Sequence, residues 1–261
     1  DFIVFDARKH PVTLSIKEIK TISDRHYGIG CDQLVIMQPS KQADVYMHII
    51  NGDGSVTATC GNVTRCVAAL LLEEQPSLQK VAIETLAGVI NAYKEASGLI
   101  TAEMVEPKLT WQDIPLSQAE DTLHVRLTLG ELTDPVAVSM GNPHIIFFVP
   151  EVTRINLAQI GLEIEHHPLF PERVNVSIAR IVDRETIHLR VWERSSGETL
   201  ACGSAACATL VAAVRRGLCN ETAKIILPGG ELIISWQTGS KVKMTGEAVK
   251  LFEGNWFLGN A

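Results

Sequence analysis

The sequence lacks the features of membrane-spanning and nucleic-acid-binding proteins. Its longest apolar stretches, such as 67–72 and 210–214, are far shorter than the roughly twenty residues that cross a bilayer. No run of five like charges occurs, and the 30 acidic residues outnumber the 23 basic ones, for a net charge of −7. Nucleic-acid binding needs a clustered basic face. We therefore expect neither a membrane span nor a nucleic-acid partner.

Patterns for nucleotide cofactors and zinc are also missing. Gly28-Ile29-Gly30 continues as Cys31-Asp32-Gln33, which completes neither a dinucleotide fingerprint nor a phosphate-binding loop. The cysteine spacings of 6 (66 − 60) and 5 (207 − 202) do not match the closely spaced ligand pairs of structural zinc sites. We expect neither a cofactor nor a metal.

The composition is that of a globular protein with reduced thiols. The chain has 261 residues, of which 46% are hydrophobic and 20% charged, close to the average of folded domains. A core of this size does not need its six cysteines as disulfides, so we expect free thiols and a cytoplasmic location. Asp1 stands in a β-rich run without an initiator Met, so we expect the native start upstream.

Hydrophobic patterning predicts an α+β fold with many strands and few helices. Alternating or continuous apolar runs predict strands at 1–5, 35–37, 45–50, 81–86, 99–105, 123–129, 145–149, 187–192 and 232–236. Helical periodicity is sparser and occurs at 15–24, 62–74, 155–166 and 203–216.

The chain contains an internal repeat centred on two cysteines. Residues 57–62 and 199–204 share the pattern T-x-x-C-G-[N/S], with Cys60 and Cys202 lying 142 residues apart (202 − 60). Each copy precedes a predicted helix, and the separation is about one domain length. We interpret this repeat as a duplicated domain with an equivalent cysteine at an equivalent helix N-terminus.

This position suits acid–base chemistry. A helix N-terminus carries unpaired N–H groups and a partial positive charge, which favour a thiolate and can lower a cysteine pKa. The same N–H groups suit a substrate carboxylate. The remaining cysteines lie in apolar or alanine-rich surroundings typical of core residues: Cys31, Cys66, Cys207 and Cys219. Read without further context, 141–144 is a turn and Glu193-Arg194 a solvated ion pair.

Five spaced motifs resemble those of the diaminopimelate epimerase family, in order and over nearly the full length. They are Arg25-His26-x-Gly28-Ile29-Gly30-x-Asp32-Gln33, Asn51-x-Asp53-Gly54-Ser55, Cys60-Gly61-Asn62-x-x-Arg65-Cys66, Val138-Ser139-Met140-Gly141-Asn142-Pro143-His144, and Glu193-Arg194-x-x-Gly197-Glu198-Thr199-x-Ala201-Cys202-Gly203-Ser204. The resemblance implies two similar domains related by duplication, each a mixed sheet wrapped around a central helix, with the active site in the cleft between them.

The resemblance also implies roles for individual residues. Cys60 and Cys202 would be the catalytic pair, one as thiolate and the other as thiol. Side chains that would hold the substrate are Gln33, Asn51, Asn142, Asn175, Glu193 and Arg194, and the backbone of Gly61, Asn62, Gly203 and Ser204 would hold its α-carboxylate. The implied partners are a small-molecule amino acid and a second copy in a homodimer. The expected domains are 1–117, with 250–261 as a candidate return segment, and 118–249.

Two positions depart from the family pattern, and other functions are compatible with the sequence. Val63 and Ala205 stand where the family commonly has glycine, and we expect their side chains to narrow the carboxylate site. A related racemase of proline, hydroxyproline or histidine would use the same two cysteines. A non-catalytic amino-acid-binding protein and a redox sensor are the rivals from other classes.

Overall fold

A computed structural model of the chain describes residues 1–257, which form two compact units. Unit 1 comprises Asp1–Ala102 and the chain from Glu247 onward, and unit 2 comprises Glu103–Gly246. None of the helices in this described part has the length and apolarity needed to cross a membrane.

The boundary between the units falls earlier in the chain than the predicted division after residue 117. The segment that follows Glu103 is built into unit 2, because Lys108 forms a β-bridge with Ser139 and Ile114 and Leu116 enter the core of that unit. The chain returns to unit 1 at Glu247 rather than at 250. The end of the predicted return segment, 258–261, lies outside the described residues.

Unit 1 is a mixed sheet with two helices. Its elements are β1 (Phe2–Asp6), α1 (Ile16–Ser23), β2 (Gln33–Gln38), β3 (Val45–Asn51), β4 (Val56–Thr57), α2 (Gly61–Glu74), β5 (Lys80–Thr85), β6 (Gly88–Lys94) and β7 (Ile100–Glu103). The strand order is β1-β2-β3-β5-β6-β7, with β4 paired to β3. Pairs β1–β2 and β3–β5 are parallel, and β2–β3, β3–β4, β5–β6 and β6–β7 are antiparallel.

The continuous apolar runs of β1 and β2 are explained by helices on both faces of the sheet. Successive side chains of a strand point to opposite faces. Val35 and Met37 of β2 therefore pack in the cluster around α2, whereas Leu34 and Ile36 pack in the cluster with α1. Eight residues of α2 are buried, which makes it the central helix of this unit.

Unit 2 repeats this plan with additional elements. It contains β8 (Thr128–Leu129), β9 (Leu132–Thr133), β10 (Val136–Ser139), β11 (Pro143–Phe148), a 3₁₀-helix (Val152–Arg154), α3 (Leu157–Glu165), β12 (Asn175–Asp183), β13 (Thr186–Glu193), β14 (Gly197–Thr199), α4 (Gly203–Arg215), β15 (Thr222–Leu227), β16 (Gly230–Ser235) and β17 (Lys243–Gly246). The main sheet has the order β10-β11-β12-β13-β15-β16-β17, with β14 paired to β13.

The pairing scheme of the two units is the same. Strands β11–β12 and β13–β15 are parallel, as β1–β2 and β3–β5 are in unit 1. Helix α4 has nine buried residues and lies against the strands of its unit, as α2 does in unit 1. The prediction of an α+β fold with few helices is confirmed, and each unit is a mixed sheet around one buried helix.

One predicted strand is wrong. Residues 123–127 alternate apolar and polar side chains, but only Thr128–Leu129 at the end of that run form a strand. The side chains of Val125 and Leu127 are buried as the pattern suggested. Their backbone is irregular, however, since the N–H of Leu127 donates to the carbonyl of Val125. A half-buried irregular segment can therefore imitate a strand pattern.

Candidate active site

Both repeat cysteines occupy the residue before a buried helix, as the sequence predicted. Cys60 is the N-cap of α2 and Cys202 the N-cap of α4, each with extended backbone (φ −148° and −134°). Their carbonyls accept the first helical bonds, from the N–H groups of Thr64 and Ala206. The N–H groups of the first turn after each cysteine have no intrahelical partner, so they can donate to a ligand at that end of the helix.

In unit 1, Gln33 and Asn51 meet at the ends of neighbouring strands. They are register partners on β2 and β3, and Nε2 of Gln33 donates to Oδ1 of Asn51 over 2.9 Å. Oγ1 of Thr57 donates to the same oxygen over 3.0 Å, while Nδ2 of Asn51 donates to Oγ of Ser55. The two amides predicted to hold substrate are thus fixed in one hydrogen-bonded group.

A hydrogen bond within α2 and the burial of Gly61 fix the turn that starts this helix. Nη1 of Arg65 donates to Oδ1 of Asn62 over 3.0 Å, and Gly61 is buried. The side chain of Val63, which was expected to narrow the carboxylate site, is fully buried in the core cluster of unit 1. Ala205 of α4 is likewise fully buried. Both are core residues, and their effect on the carboxylate site stays a prediction.

In unit 2, Cys202 is a buried thiol beside a carboxylate. Burial raises the pKa of the Cys202 thiol well above its usual value, and the charge and hydrogen bond of Glu193 raise it further. The Ser204 hydroxyl, 3.5 Å from Sγ, and the N–H of Ala205 oppose this increase in pKa. The expected lowering by the helix N-terminus is therefore outweighed at this cysteine, and the protonated thiol is favoured.

Glu193 is held by Thr199, in the same way that Asn51 is held by Thr57. Oγ1 of Thr199 donates to Oε1 of Glu193 over 2.6 Å. Glu193 and Asn51 end corresponding strands, and both threonines belong to the T-x-x-C-G repeat. Neither threonine was predicted to have a role. The signal was present in the repeat itself, which contained them at equal distances before the cysteines.

Asn142 is connected to the start of α4 and to a buried histidine. Its Nδ2 donates to Oγ of Ser204 over 3.4 Å, and its Oδ1 lies 3.0 Å from Nε2 of His144. Because burial and the nearby charge of Arg194 lower the pKa of His144 to about 3, the ring is neutral at physiological pH. An amide oxygen only accepts, so Nε2 carries the proton and donates it to Asn142.

Asn175 and Arg194 meet through the backbone. The buried side chain of Asn175 accepts the N–H of Arg194 at Oδ1 (3.0 Å) and donates from Nδ2 to the carbonyl of Pro143 (2.9 Å). Nη1 of Arg194 donates to the carbonyl of Glu172. Asn175 thus links the start of β11 to the turn after β13, a role that the sequence did not predict.

The predicted residues are divided between the units, and hydrogen bonds link Gln33 with Asn51 in unit 1 and Ser204 with Asn142 and Cys202 in unit 2. Unit 1 contributes Gln33, Asn51, Cys60, Gly61 and Asn62, and unit 2 contributes Asn142, Asn175, Glu193, Arg194, Cys202, Gly203 and Ser204. Five pairs of these residues correspond across the units at the 142-residue separation of the cysteines. They are Gln33 with Asn175, Asn51 with Glu193, Cys60 with Cys202, Gly61 with Gly203, and Asn62 with Ser204.

Solved structures of similar fold include a hydroxyproline epimerase and a phenazine biosynthesis protein. A hydroxyproline epimerase from Agrobacterium vitis matches with a TM-score of 0.61 at 17% identity, covering 88% of this chain and 76% of that one. A phenazine biosynthesis protein from Enterococcus faecalis matches with a TM-score of 0.65 at 14% identity, covering 98% and 92%. At this identity the matches establish the α+β fold.

Sequence relatives are much closer. The chain is 47% identical to a diaminopimelate epimerase of Acidiphilium cryptum, over 97% of this chain and 91% of that protein. It is 45% identical to a diaminopimelate epimerase of Rhodospirillum centenum, over 97% and 88%. The family model for diaminopimelate epimerase matches residues 1–110 and 136–251. This chain therefore belongs to the diaminopimelate epimerase family.

Proposed function

We propose that this protein interconverts LL- and meso-2,6-diaminopimelate by inverting one α-carbon, with Cys60 and Cys202 as the acid–base pair and without a cofactor. The observation that carries the proposal is the duplicated cysteine at the N-cap of a buried helix. The relatives named as diaminopimelate epimerases, similar over 97% of the chain, support the choice of substrate.

In the proposed reaction one cysteine is a base and the other an acid. The thiolate removes the α-hydrogen as a proton, and the thiol delivers its proton to the opposite face of the same carbon. The product leaves the first cysteine as thiol and the second as thiolate, so the reverse reaction exchanges their roles. The raised pKa of Cys202 supports Cys202 as the initial acid, which assigns the initial base to Cys60.

The carbanion formed in this step needs strong electrostatic stabilisation. Unpaired N–H groups at a helix N-terminus are fixed donors that cost no reorganisation when charge develops. We assign the α-carboxylate to the backbone of Gly61 and Asn62 after Cys60, and of Gly203 and Ser204 after Cys202. Negative charge that moves onto the carboxylate would then meet aligned dipoles.

The distal amino-acid group of diaminopimelate is polar, and the remaining side chains are polar as well. We assign the distal and proximal polar groups of the substrate to Gln33, Asn51, Asn142, Asn175, Glu193 and Arg194, of which Gln33, Asn51, Asn175 and Arg194 form the distal pocket. Glu193 accepts from ammonium groups and Arg194 donates to carboxylates, so the set can recognise a zwitterionic head. The single ring of proline or hydroxyproline lacks such a second head.

Loss of the α-hydrogen in D₂O tests the proposal directly. We expect the parent, with reductant present, to exchange and invert LL- or meso-diaminopimelate. Cys60→Ala and Cys202→Ala should each lose inversion. Cys219→Ala is the matched control, since this thiol is also buried but lies outside the T-x-x-C-G repeat, and it should keep the parent's rate.

The other outcomes separate the rival functions. Exchange of proline, hydroxyproline or histidine but not diaminopimelate would reassign the substrate while keeping the two-cysteine chemistry. No exchange of any amino acid under reducing conditions would refute the proposed epimerase activity and favour an amino-acid-binding protein or a redox sensor.

The proposal includes a homodimer in the cytoplasm as the working form. Apolar side chains of the return segment are exposed, with Val249 at 66%, Leu251 at 82% and Phe252 at 68%. Burial against a second copy would remove this apolar surface from water. Sedimentation of the parent and of Leu251→Lys tests the dimer, which the variant should weaken; a monomeric parent would refute it.

A further inference from the structure

We propose that Glu165 is a positioning residue that fixes the Glu193 corner, which we define as residues 192–195. The corner contains Glu193 and Arg194, so the catalytic meaning of this inference rests on the proposed function. Glu165 itself lies at the end of α3 and belongs to none of the motifs that the sequence analysis identified.

The carboxylate of Glu165 is buried and holds both sides of the corner. Its side chain is 2% exposed. Oε2 accepts the indole N–H of Trp192 over 2.7 Å, and Oε1 accepts the backbone N–H of Ser195 over 3.0 Å. A buried carboxylate is costly unless such donors satisfy it, so these bonds are strong and specific. Glu193 and Arg194 lie between the two anchored residues.

Backbone strain is concentrated around the same carboxylate. Within the described residues, the non-glycine residues with positive φ are Asp134, Arg173 (61°) and Ser195 (66°). Two of these three contact Glu165, because Nη1 of Arg173 lies 3.6 Å from Oε1. Left-handed backbone is disfavoured for residues with a Cβ and persists where the surroundings impose it. Glu165 contacts both strained residues, which also bond to each other, since Nη1 of Arg173 donates to Oγ of Ser195 over 3.4 Å.

Helix α3 packs against the Glu193 corner through the side chain of Trp192. A Cβ atom at Gly161 would lie 2.5 Å from Cγ of Trp192, so only glycine lets the indole lie this close to the helix. Glu165 follows four residues later, on the same face of the helix. The indole therefore packs over Gly161 and reaches Glu165 with its N–H, which fixes the corner relative to α3.

A carboxylate is required here rather than an amide. Glutamate accepts at both oxygens, whereas glutamine has one acceptor oxygen and one donor NH₂ group. The Glu165→Gln variant would therefore direct an NH₂ group toward either the Trp192 or the Ser195 N–H. Trp192→Phe removes one of these donors. In that background the glutamine side chain at position 165 can point its NH₂ group toward residue 192 and accept the Ser195 N–H with its oxygen. The two substitutions are thus expected to be coupled.

The first measurement is amide hydrogen exchange over residues 190–199 in the free protein, which does not depend on catalysis. We expect Glu165→Gln to accelerate exchange in this segment about tenfold or more, because the Ser195 N–H loses its acceptor for part of the time. The effect should be smaller in the Trp192→Phe background. Glu163→Gln is the matched control, since Glu163 is exposed on the same helix, and it should behave as the parent.

The second measurement is the split between KM and kcat for LL-diaminopimelate. We expect Glu165→Gln to lower kcat/KM about tenfold to a hundredfold, mostly through KM, because Arg194 is assigned to substrate binding. Ile114→Val removes one buried methylene from the core of unit 2 and controls for general destabilisation. It should leave KM unchanged.

Parent-like exchange in Glu165→Gln, or an equal effect of Glu165→Gln with and without Trp192→Phe, would overturn the inference. If Glu165→Gln alone does not fold, the double variant decides the question: recovery of folding supports the inference, and failure to recover contradicts it. If the parent does not epimerise diaminopimelate, the proposed function fails, while the exchange measurement still tests the position of the corner.

Discussion

We expect protonation of His144 in the unfolded state to lower the stability of the protein in mild acid. This loss begins at a higher pH than the protonation of the protein's carboxylates. Its pKa is lowered to about 3 in the fold, first by burial and then by Arg194, whereas an unfolded histidine has a pKa of about 6.5. A folded pKa below the unfolded one means that stability is full above about pH 6.5 and is lost as the pH falls toward 3. At pH 5 only the unfolded state binds the proton.

The size of this loss follows from the unfolded pKa alone. At pH 5 the unfolded histidine is about thirtyfold more protonated than neutral, which corresponds to about 2 kcal/mol; at pH 7 the loss is about 0.2 kcal/mol. A folded pKa between 2 and 4 gives nearly the same loss at pH 5. Glutamine at position 144 would keep a donor for Asn142 and remove the titration.

Urea unfolding at pH 7 and pH 5 measures the effect. Tryptophan fluorescence reports mainly on the unit that contains His144, because Trp111, Trp192 and Trp236 all lie in unit 2. We expect the parent to lose about 2 kcal/mol more than His144→Gln between the two pH values. His26→Gln, at an exposed position, controls for the substitution. Equal losses in the parent and His144→Gln would refute the buried neutral ring.

Three further predictions concern stability and rate. Gly161→Ala should cost about 1–3 kcal/mol in urea unfolding, because the new Cβ overlaps the Trp192 ring; an unchanged midpoint would contradict this packing. Thr199→Val should lower kcat/KM about tenfold, since Glu193 loses a 2.6 Å charge-assisted bond; parent-like kinetics would contradict this role. Ser15→Ala should cost about 1 kcal/mol in thermal unfolding through loss of the α1 capping box, and a larger cost would indicate additional contacts.

Local sequence patterns were sufficient to predict the elements whose apolar residues follow a regular helical or strand spacing. Strand β3 and helix α4 lie within about one residue of the ranges predicted for them, and both cysteines stand at the predicted N-caps. Alanine-rich periodicity and alternating burial are properties of neighbouring residues, so they can be read from the sequence.

Elements whose residues are fixed by distant contacts could not be predicted in this way. Strand β12 (Asn175–Asp183) lacks a clear alternation, because its first five residues are all buried. It could have been found through the repeat, since Gln33, the first residue of β2, lies 142 residues before Asn175. No local signal marks Glu165, whose hydrogen-bond partners, Trp192 and Ser195, follow it by 27 and 30 residues.

The equivalent positions of Asn51 and Glu193 show what a tandem repeat in one chain permits. Each residue accepts a bond from its own threonine, Thr57 or Thr199, yet one is a neutral amide and the other an acid. A symmetric dimer of a single unit would have the same residue at both positions, so any mutation would change both together. Two copies encoded in one gene can diverge separately. Evolution could thus adjust the polarity beside each cysteine independently.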